Sequence, residues 1–147
     1  MIEGYFDGAC EPTNPGGWGL FGYVVRKDGK LFALRSGCIG TGHWMTNNVA
    51  EYYALMRLLK FIRDSFPEEK ILIMGDSSLV INQIKGEFKV KNVRLKELWR
   101  KCRELMKDMN VKFRWIPREE NRIPDLLCRD AYRRLQKKLQ EVKDDRD

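Results

Sequence analysis

Four acidic residues of this 147-residue chain stand where a folded protein places apolar side chains. Asp7 interrupts the strand-like run Ile2-Glu3-Gly4-Tyr5-Phe6-Asp7-Gly8, and Asp76 ends the apolar run Ile71-Leu72-Ile73-Met74-Gly75. Glu51 heads the apolar face of the helical stretch after Thr46-Asn47-Asn48, and Asp125 opens the apolar face of the last helix, just after Pro124. Carboxylates are rarely fully buried unless paired, and an isolated buried charge is very expensive. No partner cation is obvious nearby in sequence, so the set calls for a positive charge from outside the chain. A divalent metal ion with oxygen ligands supplies one, and the pattern is that of a metal-dependent enzyme.

Each carboxylate also has a purely structural reading. Asp7-Gly8 fits a β-bulge or a turn at a strand end. Asn48-Val49-Ala50-Glu51 has the spacing of a capping box. Asp76 suits the N-cap of a helix starting near Ser77. Asp125 complements a helix dipole, with Pro124 at the first helical position. What favours chemistry is the combination: strand alternation puts Asp7 on the face of Tyr5, opposite Phe6 and Gly8. Glu51 in turn leads Ala54, Leu55, Leu58 and Ile62 at helical steps.

The elements that must position these residues follow from periodicity and punctuation. Met1 to Ala9 reads as a strand, and Cys10 to Gly17 as a turn-rich loop. Trp18 to Arg26 is a second strand, Lys27-Asp28-Gly29-Lys30 a hairpin turn, and Leu31 to Ile39 a third strand. A helix spans Asn47 to Asp64, closed by Pro67. Lys70 to Gly75 is a short buried strand, followed by a helix from Ser77 to Lys85. After the connection Gly86 to Lys91, an amphipathic helix carries Leu95, Leu98, Trp99, Cys102, Leu105, Met106 and Met109 on one side. Arg94, Lys96, Arg100, Lys101, Arg103 and Lys107 lie on the other. Val111 to Pro117 is the fifth strand. Asp125 to Val142 is the last helix, with Cys128, Ala131, Leu135 and Leu139 inward. The order predicts an α/β fold with a mixed sheet: a three-strand antiparallel meander continuing into parallel strands through right-handed crossovers. In such sheets the site lies beyond the carboxyl ends of the parallel strands, where Asp76 ends one strand and Asp125 follows the next.

Length and composition fit a single domain over residues 1–147. At 43% hydrophobic and 33% charged the chain is globular. No apolar run approaches the roughly 20 residues that span a bilayer, and no signal peptide is evident. The expectation is a cytoplasmic, monomeric protein. A formal net charge of +7 fits a nucleic-acid binder, and equally a merely soluble surface. Cys10, Cys38, Cys102 and Cys128 lack metal-site spacing and read as buried free thiols, with a Cys102–Cys128 bridge between the last two helices as the alternative.

Five stretches together resemble type 1 ribonuclease H in its compact archaeal form. They are Tyr5-Phe6-Asp7-Gly8, Asn14-Pro15-Gly16-Gly17, Thr46-Asn47-Asn48-Val49-Ala50-Glu51-Tyr52, Gly75-Asp76-Ser77, and Trp115-Ile116-Pro117-Arg118-Glu119-Glu120-Asn121 leading to Pro124-Asp125. The resemblance implies a five-stranded mixed sheet flanked by helices, and endonucleolytic hydrolysis of the RNA strand of RNA–DNA hybrids. It assigns catalysis and metal binding to Asp7, Glu51, Asp76 and Asp125. Asp7 would bridge two ions, Asp125 would help hold the one that activates water, and Glu51 and Asp76 the one facing the leaving group. Carboxylate ligands favour Mg²⁺, with Mn²⁺ as substitute, and the products would carry 5′-phosphate and 3′-hydroxyl ends. The resemblance places Asn14, Asn47 and Asn48 near the minor groove, where the 2′-hydroxyl distinguishes RNA, and Thr46 near a DNA-strand phosphate. Double-stranded RNA is a second candidate substrate.

Two departures stand out. Many relatives carry a His in the loop before the last acidic residue, but Trp115 to Pro124 has none, and Arg118 occupies that region as a phosphate contact. The sole His is His43, read as a surface loop residue. The short Gly86-to-Lys91 connection also lacks the long basic protrusion of some bacterial relatives, for which Lys85, Lys89 and Lys91 could substitute. The readings that compete are a non-catalytic hybrid-binding module and a DNA-only nuclease of the same superfold, such as a resolvase or integrase core.

Overall fold

The computed structural model describes residues 1–146. Its strands are β1 (Ile2–Glu11), β2 (Trp18–Lys27), β3 (Lys30–Thr41), β4 (Lys70–Gly75) and β5 (Asn110–Trp115). The helices are α1 (Asn47–Ser65), α2 (Ser78–Ile84), α3 (Val93–Leu105) and α4 (Arg122–Arg146), with a 3-10 turn at Arg118–Glu120. The five strands form one sheet in the order β3-β2-β1-β4-β5. The β1–β2 and β2–β3 pairs are antiparallel, and the β1–β4 and β4–β5 pairs parallel, as the βββαβααβα order requires. None of the described helices is long and apolar enough to cross a membrane.

Alternation along β1 divides the molecule. Ile2 and Phe6 face α1 and join Leu55, Leu58, Leu59 and Ile62 in the main core, with Leu95, Leu98 and Cys102 of α3 packed behind. The opposite face carries α4 over a smaller cluster of Leu20, Cys128 and Ala131. This two-sided cover disposes of the Cys102–Cys128 bridge, because the two thiols lie in separate cores on opposite faces. All four cysteines are free, and Cys38 on edge strand β3 is exposed rather than buried.

Other boundaries shift for local reasons. Cys10 and Glu11 continue the ladder by pairing with Gly19 and Trp18, so the first loop is shorter than its composition suggests. The last helix starts at Arg122, three residues early, and Pro124 sits within its first turn instead of opening it. Proline costs little there, because the first four N–H groups of a helix have no intrahelical acceptor. Leu139, expected inward, is 44% exposed, on a helix of 25 residues, about 37 Å long. Asp144 and Asp145 belong to this helix, and Asp147 lies outside the described residues.

Two glycines beside Asp7 place the helices. A methyl group on Gly8 would overlap the backbone of Ala50 and Glu51, so its absence lets α1 rest directly on β1. Gly22 pairs with Asp7 across the β1–β2 ladder, and a Cβ there would come within 2.6 Å of Pro124 O and 2.9 Å of Leu127 Cβ. Gly8 on β1 admits the helix bearing Glu51 and Gly22 on β2 the helix bearing Asp125, from opposite faces of the same sheet.

Candidate active site and nucleic-acid interface

Asp7, at 8% exposure, and Glu51, at 7%, are buried acidic residues. Each of Asp7, Glu51 and Asp76 offers a carboxylate oxygen, and these oxygens lie within 4.8 Å of one another. Asp125 lines the same cleft of about 740 Å³, together with Asn47 and Arg118. The chain thus gathers at one sheet end four carboxylates drawn from β1, α1, the end of β4 and α4.

The structural alternatives do not describe three of these residues. Asp7 pairs in regular register, with no bulge in the β1–β2 ladder. The N-cap of α1 is Thr46, whose Oγ1 accepts from Val49 N at 3.1 Å. The capping-box position is therefore Val49, and Glu51 is free to point inward. Asp76 does not cap α2, because Ser77 does, accepting from Val80 N at 3.2 Å. Only Asp125 keeps its first-turn position, which suits the helix dipole as well as the cleft.

Electrostatics measure how unfavourable this gathering is. Burial pushes Asp7 up to about 6, a hydrogen bond with Glu51 opposes the rise, and the charges of Asp76 and Asp125 add to it. Burial, then the neighbouring Asp7, raises Glu51 well above the ordinary carboxylate range. Asp76 is raised by burial, against the amide of Asn121 and the charge of Arg118. Among the described residues no Lys or Arg forms a salt bridge with Asp7, Glu51 or Asp76; the one such pair in the cleft joins Arg129 to Asp125 at 3.2 Å. Glu51 Oε2 is buried with no hydrogen-bond partner. Oxygen-only donors, clustered and short of positive charge, fit a hard divalent cation.

The other predicted residues border a second hollow of about 600 Å³, lined by Asn14, Thr46, Asn47 and Asn48 with His43, Trp44, Asn92 and Arg94. Asn47 lines both hollows. Backbone groups occupy the side-chain oxygens here: Asn47 Oδ1 accepts from Cys10 N at 2.9 Å, and Asn14 Oδ1 from Asn47 N at 3.2 Å. Each of these two oxygens keeps a second lone pair, and Asn14 and Asn47 keep their amide NH₂ groups as donors.

A family model described as reverse transcriptase-like matches residues 5–131. The structure of ribonuclease H1 from Halobacterium salinarum aligns with a TM-score of 0.80 at 32% identity, over 89% of this chain and 96% of that one. The chain belongs to the type 1 ribonuclease H family. The curated ribonuclease HI of the same archaeon is 33% identical over 131 residues, which are 88% of this chain and 63% of that protein. A bifunctional protein of Mycobacterium tuberculosis matches over 24% of its own length. The chain thus spans less than two thirds of these curated relatives. LC11-RNase H1, solved in complex with an RNA/DNA hybrid, aligns with a TM-score of 0.84 at 32% identity, over 92% of this chain and 99% of that one.

Several residues around the two hollows escaped sequence reasoning. Arg129, Tyr132, Arg133 and Gln136 line the carboxylate cleft. They follow Asp125 at steps of 4, 7, 8 and 11, a helical-face signal that the sequence carried. Asn92 and Arg94, at the start of α3, line the second hollow, with Arg94 5.0 Å from the Trp44 ring. Only the tertiary packing of α3 on α1 brings them there.

Proposed function

We propose that this protein is an endonuclease that hydrolyses the RNA strand of RNA–DNA hybrids, using two divalent ions held by Asp7, Glu51, Asp76 and Asp125. The observation that carries this reading is the trio of carboxylate oxygens within 4.8 Å, two of them on buried residues. A non-catalytic binder of phosphate backbones has no use for clustered anions at the base of its cleft.

Bound there, Mg²⁺ or Mn²⁺ would activate water and stabilise the charge on the attacking and leaving oxygens of an in-line displacement. Everything else falls to the chain. Asp7, whose carboxylate groups with those of Glu51 and Asp76, would contribute to holding both ions, Glu51 and Asp76 would complete one ion site, and Asp125, in the same cleft, would complete the other. Arg118 is placed to hold a phosphate against the cluster, and Arg129 and Arg133 extend the cationic rim along α4. Thr46, Asn14, Asn47 and Asn48 offer donors to the partner strand and to 2′-hydroxyls, while Arg94 adds charge beside them. Hydrolysis leaves a 5′-phosphate and a 3′-hydroxyl. The work suits a monomer in the cytoplasm, and double-stranded RNA is a secondary substrate to the extent that the groove is read by shape alone. His43 lines the second hollow rather than the carboxylate cleft, so no imidazole assists proton transfer and turnover is correspondingly slow.

The test is a gel assay on end-labelled RNA annealed to DNA or to RNA, alongside duplex DNA. Each is treated with Mg²⁺, with EDTA, and with Asp7→Asn protein. Metal-dependent cutting of the hybrid, absent in the variant, is the expected result. Tight binding without cutting under any divalent ion would leave a binding module, and cutting of duplex DNA alone would point to a resolvase-like enzyme.

A further inference from the structure

Asn121 is fully buried between the 3-10 turn and α4, and the cleavage reading gives it no task. Its Nδ2 donates to Phe6 O at 2.8 Å and to Asp76 Oδ2 at 3.1 Å. Phe6 immediately precedes Asp7, so one amide group clasps the backbone beside Asp7 and the side chain of Asp76. Its backbone carbonyl also accepts from Asp125 N at 3.4 Å. A single residue therefore touches the settings of three of the four carboxylates, on β1, at the end of β4 and on α4.

The amide can stand only one way. Both neighbours are acceptors, so the NH₂ must face them and Oδ1 must point away. That oxygen is buried with no hydrogen-bond partner. A residue serving packing alone would be apolar and would avoid this orphan acceptor. The polar side chain makes sense for its two donors.

Those donors act where Asp76 needs them. Asp76 follows β4 and is only half-buried. Its backbone carbonyl accepts from Trp115 Nε1 at 3.1 Å. Among the described residues, Asn121 makes the sole hydrogen bond to its carboxylate. By occupying Oδ2, Asn121 fixes the carboxyl rotation and leaves Oδ1 available. Resting on the reading of these carboxylates as ion ligands, we infer that Asn121 is a positioning residue that sets Asp76 against Asp7 before an ion arrives. Hydrogen-bonded supports behind metal ligands typically contribute about 10–100-fold to metal affinity.

The experiment is a calorimetric Mn²⁺ titration of the full chain, wild type against Asn121→Ala. It is accompanied by the metal-free melting temperature in EDTA and by kcat and KM on a hybrid. The inference predicts Mn²⁺ affinity about 10–100-fold weaker. The value of kcat falls likewise at fixed low Mn²⁺ and recovers at high Mn²⁺, with KM for the hybrid unchanged. Asn121→Ser, which keeps one donor in a smaller side chain, gives an intermediate affinity and serves if the alanine variant does not fold. A lower metal-free melting temperature with wild-type Mn²⁺ affinity in the folded variants would reduce Asn121 to a scaffold residue and overturn the inference. Failure of the wild-type protein to bind Mn²⁺ would instead overturn the ion-site reading beneath it.

Discussion

Asp7→Asn should make the metal-free protein more stable while abolishing its proposed activity. The Asp7 carboxyl rises from an ordinary value of 3.8 to about 6, chiefly through burial. A raised folded-state value means that the folded form holds its proton more tightly than the unfolded chain. The associated stability is therefore fully present below about pH 4, and it is lost as pH rises through about 6. By pH 7 the loss is about 3 kcal/mol, at about 1.4 kcal/mol per tenfold change in proton affinity. Asparagine has nearly the same shape and no charge to bury, so it escapes this loss and also relieves Glu51 and Asp76 of a neighbouring anion. The assay is urea denaturation in EDTA from pH 4 to pH 8 for both proteins. The difference between them should be near zero at pH 4 and reach about 3 kcal/mol in favour of the variant at pH 7, a melting-temperature gain of about 6–12 °C for a domain of this size. Taking the difference cancels the carboxylates elsewhere. A variant no more stable than wild type at pH 7, or an advantage that does not shrink toward pH 4, would refute the burial argument.

Gly8→Ala forces a methyl group into the Ala50–Glu51 backbone; overpacking of this kind costs about 1–3 kcal/mol, and a divalent-ion titration should show weaker binding as Glu51 moves off Asp7. Tyr52→Phe removes the 2.6 Å hydrogen bond to buried Gln83 Oε1 and should cost about 1–3 kcal/mol in urea denaturation, with hybrid cleavage intact. Arg94→Ala should raise KM for the hybrid with little change in kcat and make binding less salt-dependent, the mark of one lost phosphate contact.

The carboxylates were legible because each broke an apolar period, and a polar residue on a core-facing position is the kind of anomaly a sequence can show. Their supports were not. Asn121 lies in the polar stretch Arg118 to Arg122, where a buried amide looks like any loop residue until Phe6 and Asp76 fold around it. The Asn48–Glu51 spacing suggested a capping box because sequence alone does not say which of Thr46, Asn47 and Asn48 caps the helix. The Cys102–Cys128 alternative failed for want of one fact, the side of the sheet on which each helix lies. That fact emerges only once Gly8 and Gly22 are seen admitting α1 and α4 from opposite faces. The start of α4 was misplaced because Pro124 was read as a first residue, whereas any first-turn position tolerates it.

The most direct test of the ion-site account is calorimetric titration of the metal-free protein with Mg²⁺ at pH 5, 6 and 7, repeated in buffers of different ionisation enthalpy and with Asp7→Asn. Because Asp7 and Glu51 hold protons in the metal-free state more tightly than ordinary carboxyls, an ion must displace them. Binding should tighten with rising pH, release protons into the buffer, and disappear in the variant. Binding that is independent of pH, or equal in wild type and Asp7→Asn, would contradict the claim that this carboxylate cluster is the metal site.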